Sequence, residues 1–124
     1  MLPLFLVGAG GFVGAVARYV VDLRVSELTR GSFPWGTLLV NASGSLLVGL
    51  LFALLVERAV LPAAWRGPLM IGFIGSYTTF STLALESWRM FEDGAWLAAG
   101  LNLGGTLVLG LAAVMAGIAV GRAI

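Results

Sequence analysis

The sequence has no cysteine and no histidine. Disulfides, thiolate metal sites, cysteine nucleophiles and histidine general bases are therefore excluded. Charge is scarce as well: only 10% of the 124 residues are charged, against about a quarter in a soluble domain. Lysine is missing, so all seven basic residues are arginines, and the net charge of +1 gives no reason to expect a nucleic-acid partner. Carboxylates are absent from the middle of every long apolar run. Asp22, Glu27, Glu57, Glu86, Glu92 and Asp93 all fall at the ends of such runs or between them. A proton-coupled carrier or a cation pump ordinarily uses a buried carboxylate, so this chain suits neither.

What remains is hydrophobic. Apolar residues make up 60% of the chain, and the mean hydropathy is +1.04. The class is an all-α integral membrane protein. A helix needs roughly 20 apolar residues to cross a bilayer, and four segments qualify: about Leu2 to Asp22, Trp35 to Val56, Pro68 to Trp88, and Ala95 to Val120. Polar stretches separate them at Arg24–Pro34, Glu57–Pro68 and Arg89–Gly94. Residues 1–124 thus read as a single four-helix transmembrane domain with short loops. Trp35, Trp65, Trp88 and Trp96 fall at span ends, as an interfacial aromatic belt predicts. Ala15-Val16-Ala17 has the look of a signal-peptidase site, but no basic residue precedes Arg18. The first segment therefore reads as a span that stays in place.

Glycine is abundant, at 18 residues. Gly10 and Gly14 form one GxxxG spacing and Gly100 and Gly104 another, which predicts close helix packing rather than chemistry. Polar residues inside the spans are more informative. Thr37, Asn41 and Ser45 are spaced by four along the second span, as are Asn102 and Thr106 in the fourth, with Gly110 continuing that line. In the third span Thr78, Ser81 and Thr82, at i, i+3 and i+4, are expected on one face. Such stripes can serve as interhelical glue. Three at once point to a polar path. Hydroxyls and amides can donate hydrogen bonds and phenylalanine edges are electropositive, while mid-span cations that would hold an anion too firmly are absent. That combination suits a small, strongly hydrated anion.

The stretch GSYTTFSTL, Gly75 to Leu83, is dense in hydroxyls at mid-span. Vicinal Thr78-Thr79 and Ser81-Thr82 compete with the backbone for hydrogen bonds, and Gly75 tolerates unusual dihedrals. A helix break is expected here. Carbonyls freed by it would have to be buried in protein or to coordinate a cation such as Na⁺.

Three segments carry a family resemblance. GGFVGAVARY (Gly10 to Tyr19), GTLLVNASGS (Gly36 to Ser45) and GSYTTFSTLALE (Gly75 to Glu86) are similar to signatures of the CrcB/Fluc fluoride channels. They occur in order and with matching loop lengths, and the likeness extends over all four spans. GTLLVN together with TTFST is its specific part. The resemblance implies a passive fluoride-selective channel, not an enzyme, exporting fluoride across the plasma (inner) membrane of a prokaryote. It implies an antiparallel, dual-topology homodimer embedded in lipid, with two pores exploiting the subunit interface. It also implies a third helix broken near its middle, where the carbonyls of Gly75 and Thr78 from both subunits hold a structural Na⁺. By the same likeness Asn41 and Phe80 belong to the fluoride pore, Ser81 and Thr82 adjoin the anion path, and Thr37 lies near a vestibule. Arg18 and Glu86 would anchor and pair helices. One position departs: the family commonly has a second phenylalanine where this chain has Leu83. Asn102 and Thr106 are assigned to the fourth helix's polar track by spacing alone. Two rivals are a small four-helix multidrug transporter, which resembles a proton exchanger with a glutamate in its first span, and a non-conducting scaffold. Here the first span has no glutamate.

Four spans put both ends of the chain on one side of the membrane. Leaving aside Arg18, which lies inside the first span near its end, Arg58, Arg66 and Arg122 then face Arg24, Arg30 and Arg89 across the bilayer, three against three. With no excess on either side, the positive-inside bias does not choose an orientation, and insertion in both directions is expected. A reporter fused to the C-terminus should read out on both faces of the membrane; a single orientation would sink antiparallel pairing.

Overall fold

The computed structural model describes residues 1–124, all helix and connecting turns, with no strand. Four helical spans are long and apolar enough to cross a membrane: Leu2–Thr29, Trp35–Glu57, Ala63–Glu92 and Trp96–Ala123. The chain is a multi-pass membrane protein. Helix α1 is Leu2–Thr29. Helix α2 is Trp35–Leu51, continued by a π-helical end, Phe52–Glu57. A short 3₁₀ turn, Ala63–Trp65, leads to α3, which is π-helical over Gly67–Ile74 and α-helical over Gly75–Tyr77. Helix α4 is Phe80–Glu92 and α5 is Trp96–Ala123.

The first helix outruns its apolar segment. It continues past Asp22 to Thr29, so the first connection shrinks from the expected Arg24–Pro34 to the residues after Arg30, which closes α1 in a left-handed conformation (φ 43°). Hydropathy marks where hydrocarbon ends, not where helix ends. Polar residues such as Arg24 and Glu27, 3.7 Å apart one turn along the helix, carry it into the interface. The third span departs from continuity in the other direction. Thr78 (φ −80°, ψ 158°) and Thr79 (φ −148°, ψ 114°) are extended, and separate α3 from α4 near the middle of the span. Thr78 therefore does not share a helical face with Ser81 and Thr82. That spacing argument holds only along an unbroken helix.

Two glycine seams hold the helices together. A side-chain carbon on Gly10 or Gly14 would run into the carbonyls of Pro68 or Phe73, so α1 and α3 meet backbone to backbone. Gly49 meets the Val114 carbonyl, and Gly117 meets that of Leu46, which seats α5 on α2. The second GxxxG behaves otherwise: Gly100 and Gly104 meet no atom within 4 Å. That spacing faces outward and joins no helix within the chain.

One end of the bundle is fastened by arginines. Arg122 grips Glu57 through two bonds of 2.8 and 2.6 Å, Arg58 donates to the Gly121 carbonyl at 3.0 Å, and Arg66 donates to the Leu55 carbonyl at 3.1 Å. The bonds of Arg58 and Arg66 satisfy carbonyls that helix ends leave without partners. Only 20 of the 124 residues are buried, so most of the surface must be covered by lipid or by another protein. Gly14→Ala should lower thermal stability in detergent by about 1–3 kcal/mol, because the added carbon has no room. Gly100→Ala, at an open position, should be neutral or slightly stabilising; equal losses at both sites would refute the seam.

Candidate functional site

The break in the third span is governed by one side chain of α2. Asn41 Nδ2 donates to the Thr79 carbonyl at 3.0 Å, and its Oδ1 accepts the Thr79 N–H at 2.8 Å. The exchange fixes which way the amide faces, since only Oδ1 can accept that N–H and only Nδ2 can serve that carbonyl. One Nδ2 hydrogen remains to be offered elsewhere. Asparagine thus supplies in one side chain both partners that an extended residue lacks in the middle of a membrane.

The other contacts of α2 brace both halves of the broken span. Ser43 and Tyr77 share a 2.9 Å hydrogen bond on the α3 side. Thr37 donates to Glu86 Oε1 at 2.7 Å on the α4 side. Gly44 leaves room for the Thr78 methyl group and the Tyr77 ring. Helix α2 therefore acts as a splint across the interruption.

Thr79 then opens α4. Its hydroxyl oxygen accepts the Thr82 N–H at 3.3 Å and donates to the Thr82 hydroxyl at 2.9 Å, an N-cap. These diversions free two carbonyls. In an unbroken helix the Thr79 N–H would bond the Gly75 carbonyl, and the Thr82 N–H that of Thr78. Here both donors go to side chains instead. Gly75 and Phe80 are exposed on the surface of the chain. The break thus sets the carbonyl end of α3 beside the N–H end of α4, favouring a cation at the first and an anion at the second.

Two openings flank the joint. The first is a polar cleft of about 160 Å³, lined by Arg18, Asp22, Thr37, Thr79 and Thr82 along with Tyr19 and Val40. The second is a larger, mainly apolar cavity of about 490 Å³. Its polar lining comes from Asn41, Ser45, Thr78, Thr79 and Thr106, and its walls include Phe80, Leu83 and Gly75. Thr79 belongs to both, so the Asn41–Thr79 joint is the partition between them.

The residues singled out from sequence are brought together only in part. Thr37, Thr82 and Arg18 share the cleft, whereas Asn41, Phe80, Leu83, Thr106, Gly75 and Thr78 share the cavity. Ser81 is exposed and lines neither. Asn102 also lines neither. It is fully buried and donates to the Ser87 hydroxyl on α4 at 3.0 Å. Spacing alone could not separate a residue facing a path from one facing a neighbouring helix. Glu86 ties α4 to α2 through Thr37, and its Oε2 is buried without a partner. Arg18 forms no ion pair; the only two in the chain are Arg24–Glu27 and Arg122–Glu57. Thr79, which the sequence marks only as a competitor for backbone hydrogen bonds, is the N-cap of α4, a position that favours threonine.

A family model described as "CrcB-like protein, Camphor Resistance (CrcB)" matches residues 5–118. The chain is similar to a protein of Paramagnetospirillum magneticum named "Fluoride-specific ion channel FluC", with 42% identity over 120 residues, covering 94% of this chain and 93% of that one. It is 44% identical over 119 residues to "Fluoride-specific ion channel FluC 1" of Nitrobacter hamburgensis, covering 96% and 94%. A third relative, "Fluoride-specific ion channel FluC" of Methylococcus capsulatus, is 43% identical over 121 residues. The match takes in 98% of this chain but 53% of that protein, so the chain spans about half of its length.

Asn41→Ala would strand both Thr79 backbone groups. Thermal unfolding should show a loss of about 2–4 kcal/mol, the size expected for two unsatisfied buried groups; an unchanged unfolding temperature would remove the splint.

Proposed function

The chain belongs to the CrcB-like family, and from that premise we propose that it is a passive, fluoride-selective channel of a prokaryotic plasma membrane. The observation that carries the reading is the joint at Asn41 and Thr79, which divides a polar cleft from a mid-span cavity with no charged residue in its lining. An anion crossing there meets the remaining Asn41 N–H, the first turn of α4 at Phe80, and the hydroxyls of Thr82 and Thr106, with Ser81 joining only where a second subunit closes the path over it. Helix N-termini and hydroxyls donate without binding so firmly that release stalls. Arg18 adds a positive charge in the cleft, and Thr37 lies at its wall. Passive transport is enough for export. Acid outside a cell converts fluoride to HF, which crosses lipid and ionises inside, so an anion pore vents the trapped ion.

Two copies in antiparallel arrangement are part of the proposal. Ser81 and the Gly75 backbone are exposed at mid-span, where lipid offers no hydrogen bond. A second subunit would cover them and the 78%-exposed Phe80. The freed carbonyls of Gly75 and Thr78 fit a structural Na⁺ shared between the subunits, because unwound backbone carbonyls are the usual membrane ligands of that ion. Sodium bound there would hold the break and the dimer together.

Purified protein in liposomes should release fluoride rapidly and chloride hardly at all. Proton-coupled cation uptake would favour an exchanger, and silence a scaffold. Asn41→Asp keeps an acceptor for the Thr79 N–H but removes the donor and adds negative charge, so fluoride flux should fall by at least about tenfold. Leu83→Phe restores an electropositive ring edge to the cavity wall and should leave flux equal or higher. A fall below the parent chain would show that this wall is built around leucine.

A further inference from the structure

Asn102 was expected on a polar track, yet it touches neither opening. It is fully buried, as is Ser87 (1% exposed), and Leu83 is buried to 4% exposure. Three groups form a relay across α5 and α4: Asn102 Nδ2 donates to Ser87 Oγ at 3.0 Å, and Ser87 Oγ donates to the Leu83 carbonyl at 2.7 Å. Relay and cavity meet at Leu83, whose side chain is part of the cavity wall. Asn102 has left one Nδ2 hydrogen and an Oδ1 acceptor that is buried with no partner. Neither group lines the cleft or the cavity, so the amide faces a neighbouring helix and not the path. One turn further along α5, Thr106 does line the cavity, and its hydroxyl is buried without a partner. The two residues share a helical face but not a role.

We infer that Asn102 is a positioning residue that latches α5 to α4 through Ser87 and so holds Leu83 in the cavity wall, without touching the permeating ion. A buried amide–hydroxyl–carbonyl relay suits this task. The amide–hydroxyl bond is the one that joins the two helices, it is directional, and in a low-dielectric interior breaking it leaves the Asn102 amide short of a partner. The apolar neighbours on α5 could slide by a fraction of a turn at little penalty, whereas the relay accepts one register. The inference rests on the channel reading only for its flux measurement.

The test is a double-mutant cycle of Asn102→Ala and Ser87→Ala, read by thermal unfolding and by fluoride efflux. A shared bond predicts non-additive losses: each single variant should lower flux about fivefold, the equivalent of one neutral hydrogen bond, and the double variant little further. Ser87→Thr keeps the hydroxyl and should restore most of the flux. The chain has no cysteine, so Leu83→Cys gives a unique thiol. Its labelling by a water-soluble maleimide should speed up when Asn102→Ala is added, whether or not the protein conducts fluoride. Additive losses, or a flux defect at Asn102 with none at Ser87, would make Asn102 a direct ion ligand and overturn the latch. Unchanged labelling of the thiol would overturn it as well.

Discussion

A membrane interior offers no water to a backbone group that has lost its helical partner, and the structure turns on how one such residue is satisfied. Thr79 is extended at mid-span, and the Asn41 amide answers both its N–H and its carbonyl. A side chain with only a donor or only an acceptor would leave half of the residue stranded. With Thr79 held, α4 has a cap and a beginning. Its first turn then points N–H groups at the middle of the membrane, where an intact helix would show none.

The bracing by α2 explains why so much of the chain's polarity is concentrated on so few positions. Thr37, Asn41 and Ser43 reach α4, the joint and α3 respectively. Glycine serves the same end by subtraction. At Gly14 the α3 backbone comes closer than any side chain would allow, and at Gly49 the α5 backbone does so on the other side of the bundle. In lipid, where burying one apolar chain against another gains little over burying it against acyl chains, such close approach is a principal source of helix association. The broken third span is thus clasped between an all-backbone contact with α1 and a polar contact with α2.

Charge is arranged to complement this. The Glu57–Arg122 pair and the bonds of Arg58 and Arg66 to carbonyls lie at one end of the bundle, where they fasten helix ends. Exposed pairs of this kind contribute little each. Arg66 serves a carbonyl in the π-helical end of α2, Arg58 serves one in the last turn of α5, and Arg122 ties those two ends together through Glu57. The cavity lining holds no charged residue, and Arg18 and Asp22 stay in the cleft.

Four membrane spans, the absence of mid-span charge and the hydroxyl-rich weak point of the third helix were all legible from residue order alone, because hydropathy and local hydrogen-bond competition act over a few neighbours. The identity of the splint was half legible: Asn41 stood out as a polar residue in lipid, but nothing local showed that both of its amide atoms would be taken by Thr79. The end of α1 at Thr29 was not legible, because a helix can outlast the apolar stretch that marks it. Nor were the roles of glycines at equal spacing, where Gly10 and Gly14 meet a backbone while Gly100 and Gly104 meet nothing. Asn102 and Thr106 are one turn apart on a single face, yet one is clasped by α4 and the other borders the cavity. Periodicity determines which residues look the same way; only the packing of one helix against the next decides what they look at.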